Sequence, residues 1–391
     1  MIYLDNAATT KPYRECIELM NDYQFDKYYN PSAIYGEAIK VLRDVEKAEK
    51  NILDLIGADK TDGDKLIFTS GATEANNHAI KGYLRANRQF GRHFIISTIE
   101  HHSIMKVAKK MCEEGFELTV ISPDKYGRIN PEDIVKAIRP DTILISVMTA
   151  NNEIGTIQDI ENIVKAIRLN SDGRYIAFHT DAVQALGHIE FNVKKTDIDM
   201  FSASAHKFGG PKGTGLLYVS HNVNLLPLLE GGEQQESMRP GTINAPGIMG
   251  MHKALEMSLK NISANYAKVL LLRKTLMNTL EKKCEGIHVN ATLESEKDVA
   301  LPYILSIRFD GVDAQRLVSM LDHDGVMVGI GAACTADDDT VSHVLKAIGL
   351  RLTEAKSTIR ISFSPDNTIE EINEAAEIIV NRVKIIRKML N

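Results

Sequence analysis

The sequence contains no tryptophan and only four cysteines among its 391 residues. Those cysteines (Cys16, Cys112, Cys284 and Cys334) form no CxxC pair, and four in this length do not indicate a disulfide scaffold. No apolar run approaches the roughly 20 residues of a membrane helix, and the N-terminus lacks a basic, signal-like start. We therefore expect a cytoplasmic protein without a membrane partner, and we assign no residue to a metal.

The charge balance is mildly acidic, with 46 Lys and Arg against 52 Asp and Glu and a net charge of −6. This balance argues against direct nucleic-acid binding as the main activity. Apolar residues make up 44% and charged residues 25%, which is typical of a soluble globular protein. The length is sufficient for two domains, each with a core of its own.

Apolar runs alternate with helical patterns through the first part of the chain, which predicts an α/β fold. Such alternation indicates a mostly parallel sheet, here of seven strands, covered on both faces by helices. The predicted strands are Leu66–Phe68, Phe94–Ser97, Leu118–Ile121, Thr142–Val147, Tyr175–His179, Met200–Ser202 and Gly215–Val219. The predicted helices between them are Thr73–Arg88, Ser103–Glu114, Pro131–Ile138 and Ile160–Leu169.

The pattern changes after Thr242 to that of a smaller α+β domain. One long helix is predicted from about Pro246 to Lys283, followed by short strands and two further helices. The strands are Ile287–Val289, Ile304–Phe309 and Thr358–Ser362, and the helices are Ala314–Asp322 and Ile369–Leu390. We expect a large domain over residues 14–255 and a small domain that combines residues 1–13 with 256–391.

Lys207 lies between two apolar runs and is followed by the glycine-rich stretch Gly209–Gly213. Burying its ammonium in a core is costly, so it either lies on an exposed turn or has a chemical function. Ser204, His206 and the glycines around it are suited to holding a phosphate. A desolvated lysine beside a phosphate site is what the Schiff base of pyridoxal phosphate (PLP) requires.

Two earlier motifs also follow predicted strands. Thr69–Glu74 opens a helix, and the free N–H groups of that helix start with the Thr73 hydroxyl could bind an anion, although an ordinary helix cap is the alternative. Glu100, His101 and His102 follow the next strand, where an imidazole could stack on an aromatic cofactor. A histidine on a surface turn is the alternative, and spacing does not decide which of the two points inward.

Two later motifs follow strands in the same way. Asn151–Gly155 could supply an amide to a cofactor oxygen or could be a simple turn. Asp181 could pair with a pyridinium nitrogen and keep the ring an electron acceptor, or it could cap the next helix. Together with Lys207, these motifs make up the components of a PLP site, and their ordered occurrence is more specific than any one of them.

The chain resembles the cysteine desulfurases of the NifS/IscS type, within the class V aminotransferases of PLP fold type I. The resemblance extends over nearly the whole length. It is carried by Tyr3–Thr10, Asn30–Ser32, Thr69–Glu74, Glu100–His101, Asn151–Gly155, Asp181–Gln184, Ser204–Lys207, Arg239–Thr242, Gly331–Thr335 and Ile359–Arg360.

The resemblance implies a role for each matching residue. Lys207 would form the Schiff base and remove the Cα proton, and His101 rather than His102 would stack on the ring and assist proton transfer. Asp181 would pair with the pyridine nitrogen and Gln184 with the ring hydroxyl. Thr73, Ser204 and His206 would hold the phosphate, Ala72 and Asn152 would also contact the cofactor, and Thr242 would reach the phosphate of a second subunit in a homodimer. The implied substrate ligands are Asn30, Asn152 and Arg360, and the guanidinium fork of Arg360 suits a carboxylate.

Cys334 follows glycines and precedes Asp337–Asp339, which predicts a mobile, exposed loop rather than a core strand. In the family that the chain resembles, this cysteine attacks the substrate sulfur and becomes a persulfide. The thiolate is the nucleophile, so the nearby aspartates would oppose its formation. Two departures from the family pattern, Ala332 and Pro240, remove no chemical role.

The resemblance implies conversion of L-cysteine to L-alanine, with sulfur passed from Cys334 to an acceptor protein. Iron–sulfur clusters, thiolated tRNA, thiamine-type cofactors and sulfur-modified DNA remain open as destinations. A selenocysteine lyase or an aminotransferase is the alternative enzyme, although an aminotransferase needs no loop thiol. A sulfur-relay partner without turnover and a helix-rich binding module without a cofactor are the non-enzymatic alternatives.

Overall fold

The computed structural model describes residues 1–291, 300–331 and 341–390, and these form two β-sheets surrounded by helices. The strands are β1 (Ile2–Leu4), β2 (Lys65–Thr69), β3 (His93–Ser97), β4 (Glu117–Ile121), β5 (Thr142–Ser146), β6 (Ala177–Asp181), β7 (Met200–Ser204), β8 (Gly215–Val219), β9 (Ile287–Val289), β10 (Ile304–Phe309), β11 (Val326–Ile330) and β12 (Thr358–Ser362). The helices of the first part are α1 (Arg14–Phe25), α2 (Gly36–Leu55), α3 (Ala72–Asn77), α4 (Tyr83–Ala86), α5 (His102–Glu113), α6 (Pro131–Ala137), α7 (Ile160–Leu169) and α8 (Val193–Thr196). Those of the second part are α9 (Ala245–Lys260), α10 (Ile262–Lys283), α11 (Ala314–His323), α12 (His343–Ala347), α13 (Leu352–Ala355) and α14 (Ile369–Leu390).

The larger sheet has seven strands in the order β2-β8-β7-β6-β5-β3-β4. Its strands are parallel except β8, which runs antiparallel to both of its neighbours. The strands in the middle of the sheet are buried along their whole length, which explains why they read as continuous apolar runs in the sequence. Because parallel strands end at the same edge, the residues that follow β2, β3, β6 and β7 are brought together.

The smaller sheet has five strands in the order β1-β11-β12-β10-β9. Strand β1 pairs with β11 in parallel, so the first residues of the chain join strands that lie more than three hundred residues later. The core of this part contains Leu4, Phe309, Ile361 and Ile379, all fully or almost fully buried. The segment after β1 is thereby directed toward the carboxyl edge of the larger sheet.

The predicted α/β class, with a seven-stranded, mostly parallel sheet and a smaller α+β part, is confirmed. The single helix predicted from Pro246 to Lys283 is wrong, because α9 and α10 are separated at Asn261. The Asn261 side chain donates to the carbonyl of Met257, and asparagine readily leaves helical geometry through such local hydrogen bonds. The domain limits at residues 13 and 255 stay predictions.

Within the described ranges, no helix combines the length and the apolar character needed to cross a membrane.

Gly215 in β8 provides a test of how closely this strand packs against the backbone of Gly71 and Ala203. A Cβ at this position would lie 2.6 Å from the Gly71 Cα and 2.7 Å from the Ala203 oxygen. We expect Gly215→Ala to lower the free energy of unfolding by about 1–3 kcal/mol, because backbone atoms would have to move. Urea titration measures this, with Gly36→Ala as control, since a Cβ there meets nothing within 4 Å. Equal stability of the two variants would contradict the close packing.

Candidate active site

A cavity of about 730 Å³ opens at the carboxyl ends of β2, β3, β6 and β7. Most of the residues assigned to the site from the sequence line it. They are Ala72, Thr73, His101, Asn152, Asp181, Gln184, Ser204, His206, Lys207 and Arg360. Asn30 and Thr242 are not among the lining residues, and both are exposed. Cys334 and Asp337–Asp339 lie outside the described residues.

Lys207 lies in a short turn after β7, with its amine directed at the segment that follows β1. Its Nζ donates to the carbonyl oxygens of Ala7 at 2.6 Å and Ala8 at 2.9 Å. Burial, and next the nearby Arg360 guanidinium, lower the pKa of the Lys207 amine to about 8. A substantial fraction of this amine is therefore neutral and nucleophilic at mildly basic pH, unlike an ordinary lysine.

A chain of hydrogen bonds connects Asp181 with His101. Asn76 Nδ2 donates to Asp181 Oδ2 and to Ser103 Oγ, both at 2.8 Å. Ser103 Oγ lies 2.8 Å from His101 Nδ1, which also accepts from the Ser103 backbone N–H. Since Nδ1 accepts from both groups, the proton of the neutral ring is on Nε2.

Asp181 ends β6 and is almost fully buried. Its Oδ1 accepts from the backbone N–H of Val183 at 3.0 Å, so the carboxylate also fixes the turn that follows the strand. Desolvation, the largest influence, lowers the pKa of His101, so its ring is neutral at neutral pH. The cavity therefore has a fixed carboxylate on one wall and a neutral imidazole of defined tautomer on another.

The opposite end of the cavity has the features of an anion site. Gly71 precedes α3 with a φ of 155° and a ψ of 175°, a conformation essentially restricted to glycine. Because glycine has no side chain, Gly71 cannot cap α3. The first N–H groups of this helix therefore receive no hydrogen-bond acceptor from the N-cap residue. Ser204 Oγ is 3.7 Å from where a Gly71 Cβ would lie. Burial, then Lys207 and Lys212, lower the pKa of His206 to about 4, which keeps this ring neutral.

Two more residues that the sequence assigns to the site, Gln184 and Arg360, form hydrogen bonds with other residues of the chain. Gln184 Nε2 donates to the Ala7 carbonyl at 3.0 Å. The guanidinium of Arg360 is held by the backbone carbonyl of Asn152 and by the Asp5 carboxylate. The segment between Asp5 and Ala8 therefore contacts the lysine, the glutamine and the arginine of the site.

Sequence reasoning missed two buried carboxyl groups in the cavity wall. Glu100 is fully buried, and its Oε1 accepts from Ser97 Oγ at 2.6 Å and the Met148 N–H at 2.9 Å. Burial raises the pKa of Glu100 to about 8, so it is mostly protonated at neutral pH. Burial likewise raises the pKa of Glu153, which accepts from the Ser342 hydroxyl. Both belong to motifs noted in the sequence, but nothing in the sequence pattern indicates their burial.

Comparison with known proteins shows which family this chain belongs to. Residues 2–374 match the family model described as "Aminotransferase class-V". The chain belongs to the class V aminotransferase family. Members of this family that are named cysteine desulfurases depend on PLP, and the resemblance inferred from the sequence is confirmed.

Relatives within this family match along nearly their whole length. The chain is 39% identical to the "Cysteine desulfurase IscS" of Methanosarcina thermophila, with 99% of this chain and 93% of that protein covered. A solved "NIFS-LIKE PROTEIN" superimposes with a TM-score of 0.90 at 32% identity, covering 98% of this chain and 99% of the other. A structure titled "SspA in complex with cysteine" superimposes with a TM-score of 0.80 at 34% identity, covering 94% and 100%.

The lowered pKa of Lys207 can be measured directly. In the cofactor-free protein, the rate at which an amine-reactive reagent labels Lys207 should rise through about pH 8 and level off above about pH 9, because only the neutral amine reacts. Lys40 is a control in the same molecule, because its hydrogen bond to Glu37 raises its pKa. Its labelling should continue to rise at higher pH. Peptide mass spectrometry distinguishes the two sites, and parallel profiles would contradict the prediction.

Proposed function

We propose that this protein is a PLP-dependent cysteine desulfurase that converts L-cysteine to L-alanine and retains the sulfur as a persulfide on Cys334. The observation that carries the proposal is that Lys207, Asp181, His101 and Arg360 all face one cavity. Full-length similarity to proteins named cysteine desulfurases supports it. So does the structural similarity to a protein solved in complex with cysteine.

The cavity fits PLP in three respects. The uncapped start of α3 with Ala72, Thr73, Ser204 and His206 would hold the phosphate. Asp181 would face the pyridine nitrogen and Gln184 the ring hydroxyl, while the His101 ring would stack on the cofactor. Lys207, with its lowered pKa, suits the covalent link. When bound, PLP would supply an electron sink that makes the substrate Cα–H acidic.

The individual residues of the chain would then have the following roles in the reaction. Arg360 and Asn152 would hold the substrate carboxylate, and Lys207 would take the Cα proton. The Cys334 thiolate would attack the substrate sulfur, so that an S–S bond forms as the C–S bond breaks. The alanine carbon skeleton would be reprotonated and released. Cys334 would remain as a persulfide, one sulfur atom heavier, until an acceptor protein removes that sulfur.

The described residues on either side of Cys334 support its access to the cavity. Gly331 precedes residues 332–340, and a Cβ on it would lie 3.1 Å from Glu153 Oε2. Ser342 follows them and donates to the same oxygen of Glu153. His343 lines the cavity and contacts the Glu100 carbonyl at 2.9 Å. The described residues that flank residues 332–340 therefore lie beside the proposed active site.

We also infer that the protein acts as a cytoplasmic homodimer in which Thr242 contacts the phosphate of the second copy. Arg239 Nε donates to Glu74 Oε1 at 3.0 Å, which fixes this segment beside α3. Thr242 is nevertheless exposed and outside the cavity of its own chain. The contact predicted for Asn30 stays a prediction.

Replacing the proposed sulfur acceptor tests this function. We expect Cys334→Ala to lower alanine and sulfide release from L-cysteine by about a hundredfold or more, because the nucleophile is lost. The PLP absorbance should remain, since Cys334 has no role in holding the cofactor. Cys112→Ala is the matched control, because Cys112 is an exposed free thiol elsewhere in the chain. Unchanged turnover in Cys334→Ala would contradict the persulfide route.

A further inference from the structure

The Arg360 guanidinium has a carboxylate partner from within the chain. Arg360 lies in β12 and is 8% exposed. Its Nη2 donates to Asp5 Oδ1 at 2.7 Å, and its Nη1 donates to the Asn152 carbonyl at 3.0 Å. Its Nε is buried and has no hydrogen-bond partner among the described residues. The guanidinium is therefore held from two sides, while its Nε–H donor is left without an acceptor among the described residues.

The surrounding backbone leaves space for this ion pair. Gly329 in β11 lies opposite Arg360 in the β11–β12 ladder. A Cβ on Gly329 would lie 2.8 Å from Asp5 Oδ1 and 2.9 Å from Arg360 Nη2. Any side chain at this position would push the two charged groups apart. Strands β1, β11 and β12 therefore place the pair together, and glycine allows it to close.

A substrate carboxylate that binds Arg360 would share the guanidinium with Asp5. Two carboxylates on one cation repel each other, so the resident one weakens the binding of the incoming one. The same resident carboxylate fixes the orientation of the guanidinium before substrate arrives, which favours binding in the correct geometry. Glu153 also lies near Arg360, but burial raises its pKa, so it is a weaker counter-charge.

We propose that Asp5 is a positioning residue that orients Arg360 and offsets its charge, and thereby sets how tightly the substrate α-carboxylate binds. This inference rests on the proposed function, because it assumes an amino-acid substrate. Asp5 is not among the residues that line the cavity, so it acts through Arg360. With Asp5 in place, substrate and product carboxylates bind weakly enough to exchange.

Two substitutions at Asp5 separate its effect on the orientation of the Arg360 guanidinium from the effect of its negative charge. Asp5→Asn keeps an oxygen acceptor for Nη2 but removes the charge, so we expect the KM for L-cysteine to fall about tenfold. Asp5→Ala removes the acceptor as well, so the guanidinium loses its anchor and KM should rise. Gly329→Ala should separate the pair and change KM in the same direction as Asp5→Ala. Asp22→Asn, on the exposed surface of α1, is the control and should match the wild type.

L-cysteine ethyl ester provides the decisive comparison, because it lacks the carboxylate. With this substrate, the KM values of Asp5→Asn and wild type should agree. If both Asp5 variants raise KM, and do so equally for acid and ester, Asp5 has only a structural role and the inference is overturned.

Calorimetric titration with L-alanine measures the affinity of the same site for an amino-acid carboxylate without turnover. Asp5→Asn should bind L-alanine about tenfold more tightly than the wild type, and equal affinities would overturn the inference. A wild-type protein that forms no alanine from L-cysteine would instead overturn the proposed function. The titration still tests the role of Asp5 in that case.

Discussion

The site depends on the position of the Lys207 amine against the carbonyls of Ala7 and Ala8. These carbonyls belong to the segment after β1, and β1 is a strand of the smaller sheet, whereas Lys207 follows β7 of the larger one. The lysine therefore acquires its partners only where the two sheets meet. Burial at this junction, reinforced by Arg360, lowers the pKa of the amine and makes it suitable for covalent chemistry.

Much of the fold could be predicted because buried parallel strands read as short apolar runs separated by helical patterns. β8, β9, β10 and β12 begin and end where the sequence pattern indicates. The sequence predicted that residues 1–13 join the small domain, but neither β11 nor its pairing with β1 was predicted, since both strands are short and the contact is non-local. The break at Asn261 was missed because apolar spacing continues through it, and a single side-chain hydrogen bond decides the geometry.

The residues of the site were predictable where reactive side chains lie at the end of a strand or a few residues after it, as for Asp181, His101 and Lys207. The hydrogen bonds and the ion pair that connect these residues to the rest of the site were not predictable. Asn76 links Asp181 to Ser103 across 105 and 27 positions, and Asp5 reaches Arg360 across 355. No local pattern carries such pairings. They nevertheless connect Asp181 with the Ser103 hydroxyl beside His101 and set the charge environment of Arg360, and so influence how the predicted residues would act.

If the proposed reaction takes place, sulfur from L-cysteine is transferred to Cys334 at the cavity that contains Lys207. The most direct measurement is mass spectrometry of the PLP-loaded protein after brief reaction with sulfur-labelled L-cysteine and without reductant. We expect one added labelled sulfur atom on the peptide that contains Cys334, together with an equal amount of L-alanine. Alanine formation without label on that peptide, or label on the peptide of Cys112 instead, would contradict it.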